Sequence, residues 1–137
     1  MLYPLLDLFF FTFHTSLIAF VLGGWLWRRT RQLHLLVVLG VGASWFGLGI
    51  WYGWGYCPCT EWHWQVRRAL GDTDLPISYV KFLADTLLGT DLNATLVDGL
   101  TLAAYLAALV LGVALNIRDR RRSHAAAGDS AGARRRG

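Results

Sequence analysis

The chain has 137 residues, 55% of them hydrophobic, and thirteen Lys and Arg against nine Asp and Glu, for a net charge of +4. That length bounds it at one domain, and the hydrophobic share exceeds the ~45–50% usual for soluble domains. A soluble core this small would leave its surplus of large apolar groups exposed, and the basic excess flanks apolar runs, so nucleic-acid binding is excluded as its explanation.

Three runs lack Lys, Arg, Asp and Glu: Leu8 to Trp27, Gln32 to Thr60 and Gly99 to Ile117. A helix needs about 20 apolar residues to cross roughly 30 Å of hydrocarbon. The pattern predicts an all-α integral membrane helical bundle with spans near 6–27, 33–55 and 96–117. The membrane domain covers residues 1–122, with a connection over 56–95. Met1 to Leu6 holds no basic residue, so the first span is expected to be a permanent anchor rather than a cleaved signal.

Span one carries Thr12, Ser16, Ala19 and Gly23 along one side. Span two carries Gly40, Ser44, Gly47, Gly49 and Gly53, and span three Ala104, Ala108 and Gly112. Small residues at such steps let helix backbones approach in lipid, so these predict the packing faces, with span two between the other two. Gly49-x-x-x-Gly53 offers a homodimer contact as the alternative. Trp25, Trp27, Trp51, Trp54 and Tyr56 fit interfacial belts.

Arg28, Arg29 and Arg31 separate spans one and two, and Arg118, Arg120, Arg121 and Arg122 follow span three. The 56–95 connection carries only Arg67, Arg68 and Lys81 beside five carboxylates. Basic residues flanking spans stay cytoplasmic, which predicts an outward N-terminus and connection and a cytoplasmic C-terminus in a bacterial inner membrane. Within the connection, Thr60 is expected to cap a helix over 61–70 that ends at Gly71. An amphipathic segment after Asp74, with Lys81 paired to Asp85, is expected to lie in the headgroup plane. Asn93 or Asp91 would cap span three. The Ala, Gly, Ser and Arg composition of 123–137 predicts a disordered basic tail.

Residues 52–64, Tyr-Gly-Trp-Gly-Tyr-Cys-Pro-Cys-Thr-Glu-Trp-His-Trp, concentrate the reactive side chains. On an oxidising face Cys57 and Cys59 can form a disulfide. Its loop would be very small and strained, which makes such a bond labile. With His63 the two thiols offer three soft ligands for zinc or copper, and Glu61 is the nearby fourth. His14 lies within span one, where an ionisable group is costly and marks a candidate cofactor site for haem or quinone. No phosphate loop, nucleophile elbow or His-Glu-x-x-His pattern is present.

Phe13-His14, Gly23-Gly24, the basic turn, His34, Gly55-Tyr56-Cys57-Pro58, Thr60 and Trp62-His63-Trp64 together resemble a bacterial membrane-protein family of unknown function, DUF 2784. The likeness covers roughly residues 1–117 and implies an inner-membrane protein with no assigned activity. The family pattern has Cys-Pro-Leu-Thr where this chain has Cys-Pro-Cys-Thr, so Cys59 departs from it. Cys57, His14 and His63 are then the shared features. The leading expectation is a non-catalytic accessory or scaffolding protein. It would bind lipid, a membrane-protein partner or a second copy, and present Trp62, Trp64 and Val66 as a platform. The alternatives are thiol-redox or metal handling through Cys57, Cys59 and His63, or a haem or quinone site at His14.

Overall fold

The computed structural model describes the backbone of residues 2–136 and the side chains of residues 2–125. Five helices account for it: α1 (Leu2–Gly23), α2 (Arg31–Tyr52), α3 (Pro58–Leu70), α4 (Tyr79–Leu88) and α5 (Ala94–Arg136). Of these, α1, α2 and the Ala94–Ala125 part of α5 are long and apolar enough to cross a membrane. No strand occurs among the described residues. The spans start two to four residues before the expected positions because charge-free runs locate the apolar stretch and not the helix end. Backbone of α5 continues helical to Arg136.

Three polar contacts set the register of the long helices. His34 Nε2 lies 2.8 Å from the Val21 carbonyl, the Tyr105 hydroxyl donates to the Val38 carbonyl at 3.2 Å, and Asn116 Nδ2 donates to the Arg31 carbonyl at 2.9 Å. Leu2, Tyr52 and Ala94 therefore share one end of the bundle, and the basic turn lies at the other. The packing is uneven. The main neighbour of α2 is α5, whereas α1 packs chiefly on α3 and touches the other two long helices lightly. Span two is thus not a wedge between its neighbours.

Glycine works at fewer places than the small-residue pattern predicts. A Cβ on Gly42 would collide with the Tyr105 hydroxyl, and one on Gly112 would come 3.2 Å from His34 Nδ1. Ala108 is buried in the same seam. Gly40 and Gly47 instead face open space. Thr12, Ser16 and Ala19 are exposed, because α1 packs through Asp7, Phe10, His14 and their neighbours. Gly49 is covered by Trp54 and Gly55 of its own chain, and Gly53 takes a φ of +102°. That pair ends a helix here and turns the chain. Ala43–Leu48 of α2 is π-helical, a widening often found at functional sites.

After Tyr52 the chain folds back into the bundle. Gly53 and Gly55 adopt left-handed backbone conformations, with φ +102° and +78°, that L side chains rarely tolerate. Ser44 Oγ then donates to the Tyr56 carbonyl at 2.8 Å, eight residues and about 12 Å below Tyr52 by helical rise. Cys57 arrives beside His14, twelve residues and about 18 Å from Leu2. From that depth α3 climbs back along α1. Its start differs from expectation: Pro58 opens the helix and Cys57 flanks it, while Thr60 is buried inside the first turn. Its end agrees, since the amides of Gly71 and Asp72 bond the Arg68 and Arg67 carbonyls with Gly71 at φ +106°.

Ser78 caps α4 by accepting the Lys81 amide. Asn93 Oδ1 caps α5 through the Leu96 amide at 3.0 Å. Lys81 bonds Asp85 as expected and also Asp91, while Asp85 accepts the Leu92 amide at 2.9 Å. This clamp closes the 81–92 loop over the start of α5.

Candidate functional site

The re-entrant segment and α1 enclose a polar and aromatic cluster. His63 comes from the middle of α3 and is fully buried. Its Nε2 lies 2.7 Å from Asp7 Oδ1, and Arg67, one turn further along α3, reaches the same oxygen at 3.6 Å. Arg67 Nε also bonds Asp72 at 2.7 Å, and its guanidinium lies 4.7 Å from the centroid of the Phe82 ring. Positions 63 and 67 are i and i+4 on one face, so both meet a single α1 carboxylate. An unpaired buried polar group costs ~1–3 kcal/mol. Pairing with Asp7 avoids that penalty at His63 Nε2, and the Asp7, His63 and Arg67 set holds α3 in register against α1.

A second layer lies deeper. The His14 and Tyr79 rings stack with centroids 3.9 Å apart at 13°. The Tyr79 hydroxyl lies 3.2 Å from both Thr15 Oγ1 and the Phe11 carbonyl. Burial pushes the Tyr79 phenol up, and Asp7 adds to the shift, so it stays protonated and donates. Phe10, Trp64 and Phe82 complete the wall around His63. Tyr79 touches both imidazoles and so joins the two histidines into one cluster. The Nδ1 atoms of His14 and His63 are buried and have no hydrogen-bond partner.

Cys57 Sγ lies 4.0 Å from His14 Nε2. Both cysteines are free thiols and half-buried. Burial raises the Cys59 thiol pKa, and the neighbouring Cys57 raises it further by charge and hydrogen bonding. Cys59 is therefore a poor thiolate near neutral pH.

Several expected site residues part company here. His63 points to Asp7 and not to the cysteines, and Glu61 pairs outward with Arg68 at 2.8 Å. Among the described residues no group of three or more His, Cys, Asp or Glu side chains is placed to hold a metal ion. Trp64 and Val66 are buried, and the Trp64 indole donates to the Pro76 carbonyl at 2.8 Å, so of the platform residues only Trp62 is exposed. Sequence reading missed Tyr79 and the role of Arg67. Tyr79 opens α4, far from His14 in sequence, and only the folded-back chain brings the two rings together.

A three-span all-α bundle with a re-entrant, histidine-lined connection defines the class of this protein: a multi-pass helical membrane protein. The chain belongs to the family described as Protein of Unknown function (DUF2784), whose pattern it matches over residues 4–117. That range takes in the second span, most of the first and third, and every residue of the cluster. No curated protein and no solved structure matches the chain.

Proposed function

We propose that the protein is a non-catalytic accessory protein of the bacterial inner membrane, with its N-terminus outside and its C-terminus in the cytoplasm. The observation that carries this reading is the use of the ligand-capable side chains. His63, Arg67 and the Tyr79 hydroxyl are each engaged with another segment of the same chain, and Glu61 is paired with Arg68 of its own helix. Their joint effect is to hold a rigid re-entrant helix. Around it the Tyr52 end presents Ile50, Trp51, Tyr52, Trp54 and Trp62 outward, a rim suited to the membrane interface and to a membrane partner. The Arg-rich turn and the Arg118–Arg122 stretch support the orientation.

One observation favours a second reading, thiol chemistry: the approach of Cys57 to His14 beside Cys59. In that reading His14 accepts the Cys57 proton. The two thiols then become a disulfide by giving two electrons and two protons to a lipid-soluble quinone. One experiment separates the readings. In cells lacking the native gene, the Cys57→Ser/Cys59→Ser double variant is expected to restore growth and membrane-complex mass to the level of the unsubstituted chain. Behaviour equal to the gene deletion, with normal variant abundance, would replace the accessory reading with the thiol one.

A further inference from the structure

At the opposite end of the bundle, the α1–α2 turn and α5 form a pocket of about 370 Å³. Arg28, Arg29, Arg31 and Arg120 supply its positive side, and Asp119 is the carboxylate that lines it. Asp119 Oδ2 is bound by Arg31 at 2.8 Å, and Arg31 is itself fixed by donating to the Trp25 carbonyl at 3.0 Å. Arg28 stands 3.9 Å from Asp119 Oδ1 and is largely exposed. Arg29 and Arg120 are exposed in the same mouth. Four arginines against one carboxylate leave a strong positive excess, and guanidinium groups match the geometry of phosphate oxygens.

A second feature narrows the ligand. Asp119 Oδ1 is buried and accepts no hydrogen bond. A hydroxyl beside a phosphate, on a lipid headgroup or on a free phosphate species alike, can donate to it. The surroundings narrow it further. Leu26 and Trp27 are exposed next to the pocket, at the end of apolar helices where acyl chains and headgroups meet. Basic pockets between membrane helices at this level are suited to acidic lipid heads.

We propose that this pocket binds the headgroup of an anionic glycerophospholipid, with Arg28, Arg29 and Arg120 on the phosphodiester and Asp119 Oδ1 accepting from a headgroup hydroxyl. Phosphatidylglycerol has that chemistry. The site is independent of the His63 cluster and of the function proposed above.

Native mass spectrometry of the detergent-purified full chain, titrated with phosphatidylglycerol or phosphatidylcholine of identical acyl chains, tests it. One phosphatidylglycerol per chain is expected to bind in preference to phosphatidylcholine. Arg28→Gln and Arg120→Gln are each expected to weaken that binding by about fivefold while leaving phosphatidylcholine unchanged. Neither side chain anchors the fold, and circular dichroism checks that helix content is kept. Inorganic phosphate and glycerol 3-phosphate serve as competitors. Displacement of the lipid by either at low millimolar concentration would assign the site to a free phosphate compound and overturn the lipid assignment. Equal retention of the two lipids, or full binding by the doubly substituted chain, would overturn the site itself.

Discussion

The two ends of this bundle bury polar groups by different rules. At the basic end, His34 and Asn116 lean on backbone carbonyls, with Gly24 and Gly112 making room beside the His34 ring. Arg31 adds one side-chain partner, Asp119. At the Tyr52 end, side chains answer side chains across long sequence separations: Asp7 with His63, Thr15 with Tyr79, and His14 with Cys57 and Tyr79. The first arrangement needs only that two helices come close. The second needs a loop to fold back to one depth and one rotation, so it is the more specific and the easier to break locally.

The largest loss should come from Arg31→Ala, which leaves Asp119 without its close partner. It also frees the Trp25 carbonyl that Arg31 holds, so thermal unfolding in detergent should show a global loss of stability. Asp7→Ala should cost less, ~1–3 kcal/mol for a stranded buried imidazole, and the damage should be confined to α3. Hydrogen exchange would then rise in 58–70 and stay unchanged in α2 and α5. A uniform rise would mean that the Tyr52 end is no separate unit.

Glycine substitutions sharpen the contrast within one helix. Gly42→Ala drives the Tyr105 hydroxyl off the Val38 carbonyl and should destabilise by ~1–3 kcal/mol. Gly40→Ala, facing open space two residues away, should be neutral or stabilising by roughly 0.5–1 kcal/mol. Equal effects at both positions would show that the α2–α5 seam is misplaced.

A smaller effect concerns the Lys81 clamp. The Lys81 ammonium holds the Asp85 carboxyl below its usual range, with help from the Leu92 amide, and Asp85 in turn raises Lys81. Asp85 therefore contributes above the ordinary carboxyl value of 3.8 and loses its contribution as pH falls through the lower folded value. Lys81 contributes below 10.5 and is lost as pH rises through its raised value. Relative to the intrinsic rate, which itself slows with acid, amide exchange at Leu92 should become faster as pH falls below 3.8 in the unsubstituted chain. Asp85→Asn should show that faster exchange already at neutral pH.

Much of the architecture was legible in the order of residues. Charge-free runs located three helices, Gly71 and Asn93 marked ends correctly, and the Lys81–Asp85 spacing predicted a real pair. The candidate site was legible only as a list of residues. His14, Cys57 and His63 were singled out, but their partners were not, because an i,i+4 rule speaks within a helix and is silent between segments. Nor does composition alone announce the fold-back that Gly53 and Gly55 permit. Two left-handed glycines after Tyr52 let the chain reverse, and the Ser44 hydroxyl satisfies the carbonyl that arrives. Small residues were over-read as packing signals on α1, where a polar and aromatic stripe faces α3 instead.

The depth of Cys57 is the most direct measurement to make. A nitroxide on Cys57 of the Cys59→Ser chain, reconstituted in a bilayer, can be probed with oxygen and with a water-soluble nickel chelate. Descent of the chain to the level of His14 predicts poor collision with the chelate, as for a label placed by Ser44→Cys. Chelate access equal to that of a label placed by Trp54→Cys, a position 82% exposed in the turn above, would contradict the re-entrant segment.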